Sequence, residues 1–166
     1  IGAIDHDYAS EPPHQYTYLS IEDNSRVVEQ WARTESFRPR DNQQEVIDNI
    51  VAVSKDKTVT PNYLLFAVMR FGKTFVALEA AKALESKLTV VVSAKADVKL
   101  EWKQNLESHK DFDGYVFLGS DSLRDSSTAI KDNLKDNKVI LFLTLQDLSG
   151  SDIKEKHKQV FEQNID

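Results

Sequence analysis

A parallel α/β sheet with helices on both faces is the fold class this sequence predicts, and three observations carry the prediction. Four short apolar runs, "NYLLFAV" (62–68), "LTVVVSA" (88–94), "GYVFLG" (114–119) and "KVILFLT" (138–144), alternate with stretches of helical spacing. Runs that are apolar without strict polar alternation suit strands covered on both faces, and helix-length connections are what parallel neighbours need. Finally, Gly72-Lys73-Thr74 stands between the first run and the helical stretch after it, at the strand end where open α/β sheets hold ligands. The chain has no internal repeat and no low-complexity tract.

Taken in order, residues 1–36 read as an N-terminal arm or linker with a short helix. The first twenty mix Pro12-Pro13, small polar residues and isolated aromatics without a period. "SRVVEQWART" (25–34) then places Val27, Val28 and Trp31 at helical spacing, with Asn24 or Ser25 to cap it. "DNQQEVIDNIVAVSK" (41–55) carries Val46, Ile47, Ile50, Val51 and Val53 on one face and predicts a helix capped by Asp41 or Asn42. Further helices are expected over 72–86, 96–109, 125–136 and 151–164. In the third of these five, Trp102 in register with Val98 and Leu106 reads as core.

Composition narrows the function. A length of 166 residues with 40% hydrophobic content supports one domain with a real core. A net charge of −6 excludes a surface that wraps nucleic acid all round, while leaving room for a local basic groove. Without Cys, and with His6, His14, His109 and His157 scattered, neither a disulfide framework nor a zinc site is expected. The chain opens on Ile1 rather than Met, carries no signal-peptide pattern, and has no apolar run near the ~20 residues of a membrane helix, so a soluble, cytoplasmic chain trimmed at its front is expected.

The chemistry concentrates at "FAVMRFGKT" (66–74). The phosphate-loop pattern is Gly, four residues, then Gly-Lys-Ser/Thr; here Ala67, four residues, then Gly72-Lys73-Thr74 differs only in its first small residue. Main-chain N–H groups of such a turn and the helix dipole hold phosphate oxygens. Gly72 permits close approach, Lys73 brings positive charge to the β- and γ-phosphates, and the Thr74 hydroxyl can ligate Mg²⁺. Ala67, Arg70, Phe71, Gly72, Lys73 and Thr74 are therefore the candidate nucleotide-binding residues, with Lys73 the catalytic one and Thr74 the metal ligand. Arg70 occupies a position that, if it needs positive φ, costs a non-Gly residue about 1–2 kcal/mol, and its side chain is expected to project outward.

These residues resemble the ATP-driven motor of superfamily 2 helicases and translocases, especially the branch in type I and type III restriction enzymes. Such motors often read A-x-x-G-x-G-K-T where this chain reads "AVMRFGKT", and R-P-Y-Q-Q-E-A-I where Arg40 to Ile47 keep the Arg, both Gln, the Glu and the apolar end. The resemblance implies a RecA-like first lobe, ATP and Mg²⁺ as cofactors, Gln43 on the adenine edge and Phe37 over the ring. Further along, "TVVVSAKADVKLEWKQNL" resembles the strand and helix of the first DNA-contacting motif, which assigns Ser93 and Lys95 to the DNA backbone. Lys95, Lys99 and Lys103 recur every fourth residue and predict a stripe on one helical face, although Asp97 and Glu101 among them equally suit a solvated, salt-bridged face. "VILFLTLQDL" resembles the strand of a Thr-x-Gln motif on the same side, matching Thr144 and Gln146. Asp147 lies too far past the apolar run to be the magnesium-binding acid.

The resemblance covers about residues 37–148. It implies that residues 37–166 are the N-terminal portion of the lobe, stopping before the strand that brings the magnesium-binding acids, with an open sheet edge and no ATP turnover by this chain alone. The implied parent couples ATP hydrolysis to movement on double-stranded DNA, in company with other restriction–modification subunits. Two other classes stay open: a phosphate-loop kinase of a small metabolite, which has no use for Gln43, and an interaction module with a degenerate loop, which Ala67 and Arg70 would suit.

Overall fold

The run 138–144, buried from Val139 to Leu143, becomes the central strand. The computed structural model describes residues 16–17, 28–29, 33–58, 60–149, 158 and 160. Its elements are β1 (Tyr16–Thr17), β2 (Val28–Glu29), α1 (Asp41–Lys55), α2 (Lys73–Ala83), β3 (Leu88–Ser93), α3 (Lys99–Ser108), a 3-10 turn (Lys110–Phe112), β4 (Tyr115–Gly119), α4 (Ser120–Asp125), α5 (Ala129–Asn133), β5 (Lys138–Thr144) and α6 (Leu145–Leu148). β5 lies between β3 and β4 and is parallel to both, with Val90 opposite Leu141, Ser93 opposite Thr144 and Gly119 opposite Phe142. All three strands therefore end at one edge of the sheet.

Because successive side chains of a strand point to opposite faces, β5 divides its residues between two cores. Val139, Leu141 and Leu143 pack with Leu118, Leu123 of α4, Ala129 and Ile130 of α5, and Val160. Ile140 packs on the other side with Phe75 and Leu78 of α2, Leu106 of α3, Phe112 and Tyr115. Helices cover both faces of the sheet at β5, as the sequence predicts, while Val90 and Val92 of the edge strand β3 stay exposed. A third cluster joins Ile47 of α1 to Val76 and Ala80 of α2, and so fastens the helix before the loop to the helix after it. Among the described residues no helix is long and apolar enough to cross a membrane.

Four expectations need correction. Residues 62–68 form no strand: Leu64 is 92% exposed, Phe66 99% and Val68 74%, while Leu65 and Ala67 are partly covered. The alternation of an extended chain survives, but a strand is defined by a hydrogen-bonded neighbour, and none of the described strands pairs with this segment. The helix expected over 25–34 is contradicted at Val28–Glu29, which pairs antiparallel with Tyr16–Thr17; the apolar spacing there served a strand, and residues 25–27 and 30–32 lie outside the described residues. The cap of α1 is Arg40, not Asp41 or Asn42, because Gln43 reaches back and its Oε1 accepts the Arg40 N–H at 2.9 Å. Lys95 lies outside α3, which begins at Lys99, so the three lysines do not share one helical face. Of the helix expected over 151–164, only Lys158 and Val160 are described, both helical, with Val160 in the core.

The end of the arm is docked through Arg33 and Glu35. Glu35 bridges His109 in parallel fashion, its N–H donating to the Ser108 carbonyl at 3.1 Å and its carbonyl accepting the Lys110 N–H at 2.9 Å. The Arg33 guanidinium donates to the carbonyls of Leu106, His109 and Tyr115.

Candidate nucleotide site

The turn before α2 is built from two left-handed residues. Arg70 has φ +63° and Gly72 φ +87°, and Gly72 is the N-cap of α2, so the chain reverses sharply enough for the helix to start at Lys73. For Arg70 this conformation carries the strain the sequence anticipated, and its side chain is exposed. Arg70→Gly is expected to raise unfolding free energy by about 1 kcal/mol and to leave ATP affinity equal or higher. A thermal melt and a nucleotide titration check this; a collapse of binding would show the guanidinium to be a ligand.

Gly72 is required for a second reason. A Cβ there would lie 2.7 Å from Gln43 Nε2, and that amide donates to the Phe71 carbonyl at 2.6 Å. Arg40 donates to the same carbonyl at 2.8 Å. Gln43 is buried, with its oxygen on Arg40 N and its nitrogen on the Phe71 carbonyl, so α1 grips the turn before α2 through one side chain. The adenine-edge role implied by the resemblance would require Gln43 to share or exchange these partners.

Phe37 sits beside the start of α2. Its ring is 48% exposed; its centroid lies 4.6 Å from that of Phe75 and 4.6 Å from that of His109. One side is thus supported by packed aromatics while the ring still meets solvent, a geometry that suits a flat ligand. His109 Nδ1 accepts the Asp111 N–H at 3.2 Å, so Nε2 carries the hydrogen and donates to the Phe37 carbonyl at 2.9 Å.

The Lys73 ammonium donates to the carbonyls of Ala67 at 3.0 Å and Val68 at 2.8 Å. These are exposed bonds to neutral acceptors, worth roughly 1 kcal/mol each, and phosphate oxygens make stronger, charge-assisted ones. Thr74 Oγ1 donates to Glu101 Oε1 at 3.0 Å, across from α2 to the first turn of α3. No local pattern singles out Glu101, whose alternation with lysines also suits a solvated face; the packing of α2 against α3 brings it to the loop.

The DNA-side candidates meet at the C-terminal edge of the sheet. Ser93 and Thr144 are register neighbours there, and Ser93 Oγ accepts the Lys95 N–H at 3.1 Å, leaving Lys95 exposed beyond the strand end. Lys99 is bound to Asp121, whose carboxyl is held below the usual carboxylate range by that hydrogen bond against the opposing effect of burial. Thr144 caps α6: its hydroxyl accepts the Asp147 N–H at 3.2 Å, while Asp147 Oδ2 accepts the Thr144 N–H at 2.9 Å. Gln146 is exposed on α6. Of the five, Lys95 and Gln146 face solvent, whereas Lys99 and Thr144 have structural partners.

One cluster has metal-like composition. Glu79, His109 and Asp111 offer ligand atoms within 4.8 Å of one another. A cation is already supplied, since Lys82 Nζ lies 2.8 Å from Glu79 and 2.9 Å from Asp111, and both His109 nitrogens are engaged. Burial pushes the Lys82 ammonium down, but its two carboxylate partners outweigh this and raise it. The cluster is an ion pair that pins α2 to the 3-10 turn.

A doubly covered parallel sheet and a Gly-Lys-Thr turn opening a helix define a class: a phosphate-loop ATPase domain of the helicase-like kind, with the architecture of an incomplete RecA-like lobe. Within that class the chain belongs to the family described as Type III restriction enzyme, res subunit, whose model matches residues 36–166. Comparison with curated proteins and with solved structures returns no match.

Proposed function

We propose that this chain binds Mg·ATP at residues 67–74 and DNA along the C-terminal edge of its sheet, as part of a motor that moves on double-stranded DNA in a restriction endonuclease. The observation that carries the reading is the turn itself. Two left-handed residues precede a helix whose first residue, Lys73, offers an ammonium that, among the described residues, is held only by two exposed main-chain carbonyls.

The residues fit the cofactors. Thr74 Oγ1 is a hard oxygen donor of the type Mg²⁺ takes while keeping several waters, and its hydrogen is already turned to the Glu101 carboxylate behind it. Bound Mg²⁺ would neutralise charge on the β- and γ-phosphates. Lys73 would exchange carbonyls for phosphate oxygens, Gln43 would hold Phe71 and Gly72 in place, and Phe37 would cover the base. Ser93, Lys95 and Gln146, at or beyond the strand ends, are the groups proposed to meet the DNA backbone. Family membership extends the proposal to a cytoplasmic setting and to further restriction–modification subunits as partners.

Fluorescence anisotropy of a labelled duplex, with and without ATP, tests the reading. Coupling is reciprocal, so saturating duplex should change ATP affinity several-fold and ATP should change duplex affinity by the same factor. ATP binding that is indifferent to DNA would favour a small-molecule kinase. Absence of ATP binding would favour an interaction module.

A further inference from the structure

We propose that Glu101 makes the phosphate loop selective for magnesium-loaded nucleotide, by holding the Thr74 hydroxyl for a cation and by repelling a triphosphate that arrives without one. The inference rests on the reading of residues 67–74 as a nucleotide site.

Three features point to it. First, the Thr74 hydroxyl spends its single hydrogen on Glu101 Oε1 at 3.0 Å, which leaves its lone pairs as the only function it can offer a ligand. A ligating oxygen oriented by a carboxylate behind it is the general arrangement by which outer partners tune a metal site. Second, Glu101 carries an uncompensated charge. Its neighbours on α3 are drawn elsewhere, Lys99 to Asp121 and Lys103 to Glu107, and among the described residues Glu101 is in no ion pair. Third, its position is held. Glu101 lies in the first turn of α3, where the helix dipole favours an acid, and its carbonyl accepts the Asn105 side-chain N–H at 2.8 Å. Thus a fixed negative charge stands one hydrogen bond away from the residue that follows Lys73. Bare triphosphate meets this charge directly, whereas the Mg²⁺-bound form presents a cation to it.

The experiment is a titration of the full chain with a fluorescent ATP analogue, in EDTA and in excess Mg²⁺, for wild type, Glu101→Gln, Glu101→Lys and Lys73→Ala. Glutamine can still accept from Thr74 but carries no charge. Glu101→Gln is therefore expected to bind magnesium-free nucleotide roughly tenfold tighter, the scale of one nearby surface charge, while its affinity with Mg²⁺ moves less than about threefold. Glu101→Lys should move the magnesium-free constant further in the same direction. If both variants keep the wild-type ratio of the two constants while Lys73→Ala weakens binding about tenfold or more, the role of Glu101 is overturned and the nucleotide site stands. If wild type and Lys73→Ala are indistinguishable, the site itself is overturned, and this inference with it.

Discussion

If residues 67–74 form the proposed nucleotide site, Lys73→Ala is expected to lower ATP affinity by about 10- to 100-fold, because it would remove charge-assisted hydrogen bonds worth roughly 1.5–3 kcal/mol between the ammonium and the phosphates. The fold should be unaffected. Lys73 is exposed at the first position of α2, its own bonds are to solvent-facing carbonyls, and alanine is the better helix former. Calorimetric titration with Mg·ATP and a thermal melt of the same samples separate the two effects. Affinity that changes less than twofold in a well-folded variant would remove the loop from the site.

Phe112→Ala is expected to have the largest effect on stability, a loss of about 3–5 kcal/mol out of the ~5–15 typical of a domain. Phe112 is fully buried, and its ring lies 5.3 Å from His109, 6.0 Å from Tyr115 and 6.3 Å from Phe75. It is the hub of an aromatic chain that runs from Phe37, before α1, to β4, and Phe75 continues that chain into the first turn of α2. The cavity should therefore also loosen the helix that presents Lys73, so that ATP affinity falls with stability. Urea unfolding with an unchanged slope and a lowered midpoint is the expected result. A loss below about 1 kcal/mol would mean that the site collapses onto neighbouring side chains.

The sequence alone determined whatever depends on local spacing. α1, α2, β3, α3, β4 and β5 lie where the apolar period predicts, since the apolar face of a helix and the apolar run of a strand are written in consecutive residues. The same holds for the Gly72-Lys73-Thr74 turn and for the strain at Arg70, which follow from the backbone needs of a few neighbouring residues. Tertiary structure decided the rest, because pairing and charge balance are set by residues far apart in the chain. Whether 62–68 becomes a strand depends on a neighbour to accept its hydrogen bonds, not on its own side chains. Whether Lys99 is free for a phosphate depends on Asp121, and whether Thr144 is free depends on Asp147. Glu101 reaches Thr74 over 27 residues of sequence only because α2 and α3 pack on the same face of the sheet, and no local pattern records that meeting.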